Sequence, residues 1–522
     1  MTFNEFKYEH IDMDQAQIAM NAQIDRMQAA GDYTEFTQAR KTFNIAYRHL
    51  LSMLKLCSIR FSIDTSNSYY EAEQDYWDEK SPYLTQVKSR HDRVILDSVY
   101  LPEMKAEIPH VYFELLEKTL NVYDDRILDD LQNENRLVTQ YGKLISGAAI
   151  EFDGKTLNLS QLSKYTQDTD RSVRKAAADA GWAFYQDNED AIDTIFDQLV
   201  HVRTAMAHKL GYDNFTKMGY DRMTRLDYTE EMVREYRQQI LDAVVPEANA
   251  LYARQAKRIQ TETITYYDAG LSFLDGNAEP IGTFDETVSS AQEMYHELSD
   301  QTREFFDRMI DDELLDLVAK PNKQGGGYME FLEDFKVPFI FSNFNGTFHD
   351  VDVLTHEAGH AFQGYMSSEI ELPELIMPTY ESCEIHSMSM EFIAWPYMEK
   401  FFADKADKYR FNHLSNALLF LPYGALVDHF QHEIYNHPDW SKQERKACWK
   451  TLDHQYRPHL DFSENSFADQ GIWWYKQGHI FASPFYYIDY TLAQVCAFQF
   501  WKRFNVDHDR TAWNDYLSIC KA

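Results

Sequence analysis

Between Phe36 and Phe61 the apolar residues Ala39, Phe43, Tyr47, Leu50, Leu54 and Cys57 recur at spacings of three or four, the period that keeps one helical face against a core. The pattern predicts a long helix there. Similar spacing predicts helices over Tyr112 to Leu131, Ala176 to Leu210, Met232 to Ile259, Ala291 to Val318 and Arg410 to Ile434, stretches with few prolines or glycines inside them. Two segments depart from the period. Ile264 to Phe273, followed by Asp275-Gly276, reads as a strand entering a turn, and Val337 to Phe344 (VPFIFSNF), after the triple glycine Gly325 to Gly327, reads as a short strand. The expected fold is therefore mainly α with a small sheet. No repeat, low-complexity tract or Pro/Ser-rich linker interrupts the chain, and the boundary is placed in the loop Gly147 to Lys155, giving an N-terminal helical lobe over 1–147 and a second domain over 148–522.

Composition narrows the partners. Hydrophobic residues make up 44% of the 522 and include 34 Tyr and 34 Phe, which excludes a disordered chain and leaves many side chains to line a cleft. Fifty Lys and Arg against 84 Asp and Glu leave a net charge of −34, a field that repels phosphate backbones and anionic lipid headgroups. Neither nucleic acid nor a membrane is expected as a partner. The five cysteines are scattered with no C-x-x-C pair, and the opening MTFNEFKY carries no basic region followed by an apolar stretch. Free thiols in a reducing, cytoplasmic compartment are the expectation.

The chemistry concentrates in Val353 to Tyr365, VLTHEAGHAFQGY. His356 and His360 are four residues apart, so a helix places both imidazoles on one face, one turn above the other, where both can reach one ion. Glu357 projects beside that face, where a carboxylate can take a proton from water whose pKa zinc has lowered. Asp350 or Thr347 is available to cap this helix, and the small pair Ala358-Gly359 lets another backbone approach. A catalytic zinc needs a third protein ligand. Glu369, Glu371 and Glu374 lie in a stretch broken by Pro373 and Pro378, whereas Glu381, Glu384, Ser387 and Glu391 share a face of a helix beginning after Pro378. Helix geometry leaves Glu381 and Glu384 as candidates.

HEAGH followed after a gap by E-x-x-S-x-x-x-E, here Glu384, Ser387 and Glu391, resembles the oligoendopeptidase F and thimet oligopeptidase family of zinc peptidases. The resemblance extends upstream to GGGYMEFLEDFKVPFIFSNFNGT, similar to that family's glycine loop and edge strand, and downstream to His479 to Ala493, HIFASPFYYIDYTLA, similar to its substrate-binding His/Tyr segment. It implies that one zinc ion is held by His356, His360 and Glu384, and that Glu391 orients a ligand histidine. It further implies oxyanion donors at His479, Tyr487 and Tyr490, with Tyr486 as the fallback for its neighbour, and Glu357 as general base. The implied body is a large multi-helix one with a deep central channel beside the zinc helix, its catalytic domain in 148–522, acting on short unfolded peptides.

For alignment, a peptide can add as an antiparallel strand to an exposed edge of Val337 to Phe344. Other roles remain open to the residues alone. A helical zinc carboxypeptidase or dipeptidyl carboxypeptidase shares H-E-x-x-H but requires a cation for the substrate carboxylate, and the sequence singles none out. A helical peptide-binding protein with a vestigial metal site is the reading outside enzymes, against which stand the three ligand types and the base; a structural zinc site is closed by four protein ligands.

Overall fold

The computed structural model describes residues 1–521. Three helices open the chain: α1 (Met13–Ala29), α2 (Tyr33–Ile63) and α3 (Ser68–Leu96). The side chain of Asp32 caps α2 by accepting from the Glu35 N–H, and the apolar stripe read from the sequence is its buried face, with Phe43, Leu50, Leu56 and Cys57 all enclosed. Farther on stand α4 (Leu128–Ser146), α5 (Glu189–Lys209), α6 (His349–Met366), α7 (Tyr380–Ile393), α8 (Ala406–Asn436) and α9 (Tyr487–Trp501).

Several expected helices are interrupted where side chains offer the backbone other partners. Tyr112 to Leu131 breaks after Asn121, and Asp124 caps the short turn that precedes α4. Ala176 to Leu210 divides at Asn188, whose amide donates to the Phe184 carbonyl. Met232 to Ile259 is divided by a π turn over Ile240–Val244, with Pro246 opening the segment after it. The end of Ala291 to Val318 is not helical, because Leu315–Val318 is a strand.

The strands are few: β1 (Ile150–Phe152), β2 (Lys155–Leu157), β3 (Ile264–Thr265), β4 (Leu315–Val318), β5 (Tyr328–Leu332), β6 (Val337–Phe344) and β7 (Leu460–Asp461). β1 and β2 form a hairpin, and β3 pairs with β7 in parallel, which leaves most of the strand expected over Ile264 to Phe273 in turns. The remaining sheet has the order β4-β6-β5, with β6 parallel to β4 and antiparallel to β5. VPFIFSNF is thus the central strand with both edges paired, and the expectation of a peptide-binding edge there is corrected: the free edge beside the cleft belongs to β5.

Two cores hold the body together. One joins α1, α2 and α3 to this sheet and to α6 through Phe43, Leu56, Phe341, Leu354 and Phe362. The other joins α4, α5 and α8 to the segment before α9 through Tyr141, Leu199, Phe430, Trp474 and Phe485. A cavity of about 1680 Å³ is lined from both sides, by Arg48 and Lys55 of α2, Tyr328 of β5 and Glu357 of α6, and by Arg222 and His479 from the second core. This is the deep channel of the fold. No helix among the described residues is long and apolar enough to cross a membrane.

Candidate metal centre

α6 begins without a side-chain cap, contrary to the role expected of Asp350 or Thr347. Asp350 instead accepts from the N–H groups of Asn345 and Gly346 at 2.9 and 2.8 Å, and the Thr347 hydroxyl donates to Asn345 Oδ1 at 2.8 Å, so both tie down the turn that leads into the helix. α7 packs across α6 at Gly359. A Cβ there would stand 2.6 Å from Ser387 Cα and 2.7 Å from the His386 carbonyl oxygen, closer than any side chain permits. This close approach, anticipated from the Ala358-Gly359 pair, brings Glu384 over the two histidines.

Glu384 Oε2 lies 3.2 Å from His356 Nε2 and 3.4 Å from His360 Nε2, and the ligand atoms of all three residues fall within 4.8 Å of one another. Ligands about 2.0–2.1 Å from one tetrahedral ion stand roughly 3.4 Å apart, so two nitrogens and a carboxylate oxygen at this spacing fit zinc. Burial pushes the Glu384 carboxyl up, but the adjoining His360 and His356 outweigh it and hold it well below the usual carboxylate range. Its other contacts fix its rotamer: Ser387 Oγ donates to Oε2 at 2.8 Å, and the Tyr486 hydroxyl donates to Oε1.

Behind His356 runs a chain of polar groups. His356 Nδ1 donates to Glu391 Oε1 at 2.7 Å, which leaves Nε2 free to face Glu384 and His360. The other Glu391 oxygen accepts from His413 Nε2 at 2.7 Å, and Trp395 Nε1 donates to His413 Nδ1 at 2.9 Å. Glu391 occupies the position expected of it; His413, in α8, carries no local signal in the sequence. Glu357 is 5% exposed and its Oε2 has no hydrogen-bond partner among the described residues. Burial raises its pKa above the ordinary carboxylate value, although His356 and His360 pull the other way. Gly327 leaves the room: a Cβ there would lie 2.8 Å from Val353 Cγ1 and 3.2 Å from Glu357 Oε1.

The His/Tyr segment forms the opposite wall. His479 Nε2 lies 3.2 Å from the Tyr490 hydroxyl, and Gln477 Nε2 donates to His479 Nδ1 at 2.8 Å while Gln477 Oε1 accepts from Tyr423 at 2.8 Å. These contacts put the imidazole proton on Nε2, and burial lowers the His479 pKa to about 4, so the ring is neutral. Burial keeps the Tyr490 phenol protonated. His479, Tyr486 and Tyr490 line the cavity. Tyr487 does not: its ring packs on His479 and Tyr490 at centroid distances of 4.9 and 5.4 Å and on Phe420 and Tyr423 at 5.7 and 5.8 Å, and the expectation of an oxyanion donor at Tyr487 is corrected, the tyrosines that face the cleft being Tyr486 and Tyr490. One residue at the start of a helix turns a side chain by roughly 100°, enough to exchange cleft for core.

The neighbouring histidines and thiol stay outside the cluster. His349 pairs with Asp352 at 3.2 Å, His386 Nε2 bonds the Ile519 carbonyl at 3.0 Å, and Cys383 Sγ contacts the Pro378 carbonyl at 3.5 Å.

Comparison with known proteins gives one answer. Residues 3–123 match the peptidase M3 N-terminal domain and residues 164–518 match peptidase family M3. Among solved structures, a protein provisionally designated oligoendopeptidase F is 47% identical with a TM-score of 0.99, covering 100% of this chain and 92% of its own. Pz peptidase A, solved with an inhibitor, is 44% identical with a TM-score of 0.99 and the same coverage. A third, provisionally designated oligoendopeptidase F from Bacillus anthracis, is 45% identical with a TM-score of 0.93, covering 100% of this chain and 91% of its own. Oligoendopeptidase F from Enterococcus faecium, at 13% identity and a TM-score of 0.60, shares the fold. No curated protein matches the chain. With its second family match alone spanning well over half of the sequence, the chain belongs to peptidase family M3, whose members are zinc-dependent peptidases.

Proposed function

We propose that this zinc endopeptidase cuts short, unfolded peptides in the cytoplasm with a single zinc held by His356, His360 and Glu384, and with Glu357 as its general base. The observation that carries the reading is Glu357 Oε2, a buried oxygen with no partner beside three clustered ligand atoms. A zinc ion bound there supplies Lewis acidity, which brings the pKa of water toward neutrality and polarises a carbonyl.

The chain's own groups do the rest. Glu357 takes the proton of the attacking water at Oε2 and returns it to the leaving amine; its raised pKa suits both transfers. Tyr490 donates to the developing oxyanion, with its hydroxyl oxygen accepting from His479 Nε2–H so that its own proton points outward. Tyr486 already donates to Glu384 and serves as a positioning residue for that ligand. The free edge of β5 aligns the substrate backbone by strand addition, which gives affinity with little side-chain selectivity.

The test replaces Glu357 by Gln and measures both zinc content and turnover of a fluorogenic peptide. Zinc stays stoichiometric and turnover falls; retained turnover would refute the base. A folded protein digested as fast as a peptide would refute the narrow channel.

A further inference from the structure

Arg40, Asn44 and Arg48 follow one another at four-residue intervals along α2, so one face of the helix carries all three, and that face lines the cleft. Arg40 and Asn44 are each 6% exposed. Arg40 Nε and Nη1, Asn44 Oδ1 and Arg48 Nε are buried with no hydrogen-bond partner among the described residues. A guanidinium withdrawn from water with its donors unmet is costly to keep, and no acid among the described residues hydrogen-bonds to Arg40 or Arg48. Asp92 and Glu374 both pair with Lys88, at 2.5 and 2.6 Å, and Glu371 pairs with Lys41 at 3.0 Å. Arg40 forms no ion pair among the described residues, and Arg48 donates from Nη2 to the Ile370 carbonyl. In a chain of net charge −34, arginine donors left open inside the cleft are not a by-product of composition.

We infer that this stripe is a subsite for a carboxylate of the peptide substrate, with Arg40 as the anion-binding group. The inference rests on the peptidase reading above, since it requires a peptide in the cleft. The planar fork of a guanidinium matches a carboxylate, and Asn44 beside it supplies an amide for the adjoining peptide group. β5 supplies a ruler. It runs antiparallel to α2: Gln324 N–H, just before β5, donates to the Ser62 carbonyl, the Phe331 carbonyl accepts from Lys55, and Asp334 N–H, just after β5, donates to Ser52 Oγ. Arg40 lies fifteen residues before Lys55 on the same helix, or roughly 22 Å at 1.5 Å per residue. An extended peptide covers that in about seven residues, so the anion is held several residues from the bond that is cut.

The polarity of the bound peptide decides which carboxylate arrives. A peptide paired antiparallel to β5 sends its amino-terminal half toward Arg40 and offers an Asp or Glu side chain. One paired parallel sends its terminal carboxylate.

The experiment measures binding to the zinc-loaded Glu357→Gln protein by calorimetry, using one peptide of about ten residues in four versions. These are the free acid, the C-terminal amide, and the amide carrying either Glu or Gln near its amino end. The expected result is that one carboxylate-bearing version binds about tenfold tighter than its neutral twin, the worth of one charge-assisted contact. Which version does so identifies the source of the carboxylate. Arg40→Met, which keeps the apolar stem, removes the difference and leaves the neutral peptide within about twofold. Equal affinity or no measurable binding of all four versions in the Arg40 protein overturns the inference, as does a loss in Arg40→Met shared equally by neutral and anionic peptides. The comparison of four peptides does not depend on any Arg40 variant folding. A neutral peptide that binds the wild-type protein but is not cleaved counts against the peptidase mechanism and leaves the carboxylate subsite standing.

Discussion

Around Glu384 both carboxylate oxygens are engaged, Oε2 by Ser387 and the histidines and Oε1 by Tyr486, and His356 is held from behind by Glu391, His413 and Trp395. Along the Arg40 face of α2 the reverse holds, and buried donors stand without partners. The two regions line one cleft and differ in what they await. The metal end is assembled before substrate arrives, as electrostatic preorganisation requires. Glu357 Oε2, which has no hydrogen-bond partner among the described residues, belongs to the group assigned a proton transfer. The far end is left incomplete in a way that a ligand completes. Damage to the first should appear in turnover and metal content, and damage to the second in affinity alone.

The largest effect tests whether the wired end is a metal site at all. Removing zinc with a chelator, or replacing His360 by Ala, should abolish turnover, and added zinc should restore the chelated wild type but not the variant. Activity that survives complete loss of metal would break the comparison. Next, Glu357→Gln should lower kcat by about 10²–10⁴ with zinc content unchanged, since it removes proton transfer and leaves the ligands in place. Steady-state kinetics beside metal analysis separates the two results.

The adjacent tyrosines sharpen the picture at a smaller scale. Tyr490→Phe deletes an oxyanion donor and should lower kcat by about 10²–10³ with little change in KM, whereas Tyr487→Phe, a change in the wall behind the cleft, should stay within about threefold of wild type. Equal losses would return Tyr487 to the site. Glu391→Gln should weaken zinc binding about 10–100-fold, read by competition with a fluorescent chelator, because the hydrogen bond that fixes the His356 tautomer is weakened.

How much of this could be read in advance follows from the range over which each feature is encoded. His356, His360 and Glu357 are a local helical pattern, legible from spacing alone. Glu384 sits on a second helix, and periodicity could not separate it from Glu381; only the family pattern did. Tyr486 and Tyr487 differ by one residue at the start of α9, where the exact helical phase decides which ring faces the cleft and no composition rule supplies it. His413 reaches Glu391 from 22 residues away on a different helix, a contact made by packing and not by pattern. The helix in α2 was plain from its apolar stripe, yet that stripe carries no signal that Arg40, next to Ala39, is buried. Its burial is set by tertiary packing, which nothing in α2 foretells. VPFIFSNF was legible as a strand, but its central place depends on β4, which was hidden in a helical period.

The smallest predicted effect concerns the tautomer of His479. In the wild type Tyr423 donates to Gln477 Oε1, Gln477 Nε2 donates to His479 Nδ1, and the imidazole proton is left on Nε2 beside Tyr490. Burial lowers the pKa of this ring to about 4, so it donates from Nε2 in its neutral form at all higher pH. Gln477→Glu replaces the donor with a carboxylate, which can only accept. The carboxylate raises the His479 pKa and draws the neutral ring's proton to Nδ1. Below the new pKa the imidazolium still donates from Nε2. Above it the neutral ring offers Tyr490 a bare nitrogen. The ratio of variant to wild-type kcat/KM should therefore be near one at low pH and fall about tenfold as pH rises through the new pKa, with the Glu357 titration cancelling in the ratio. Nitrogen NMR of the labelled imidazole reads the tautomer directly. A ratio independent of pH, with Nε2 still protonated at high pH, would show that Gln477 does not set the proton.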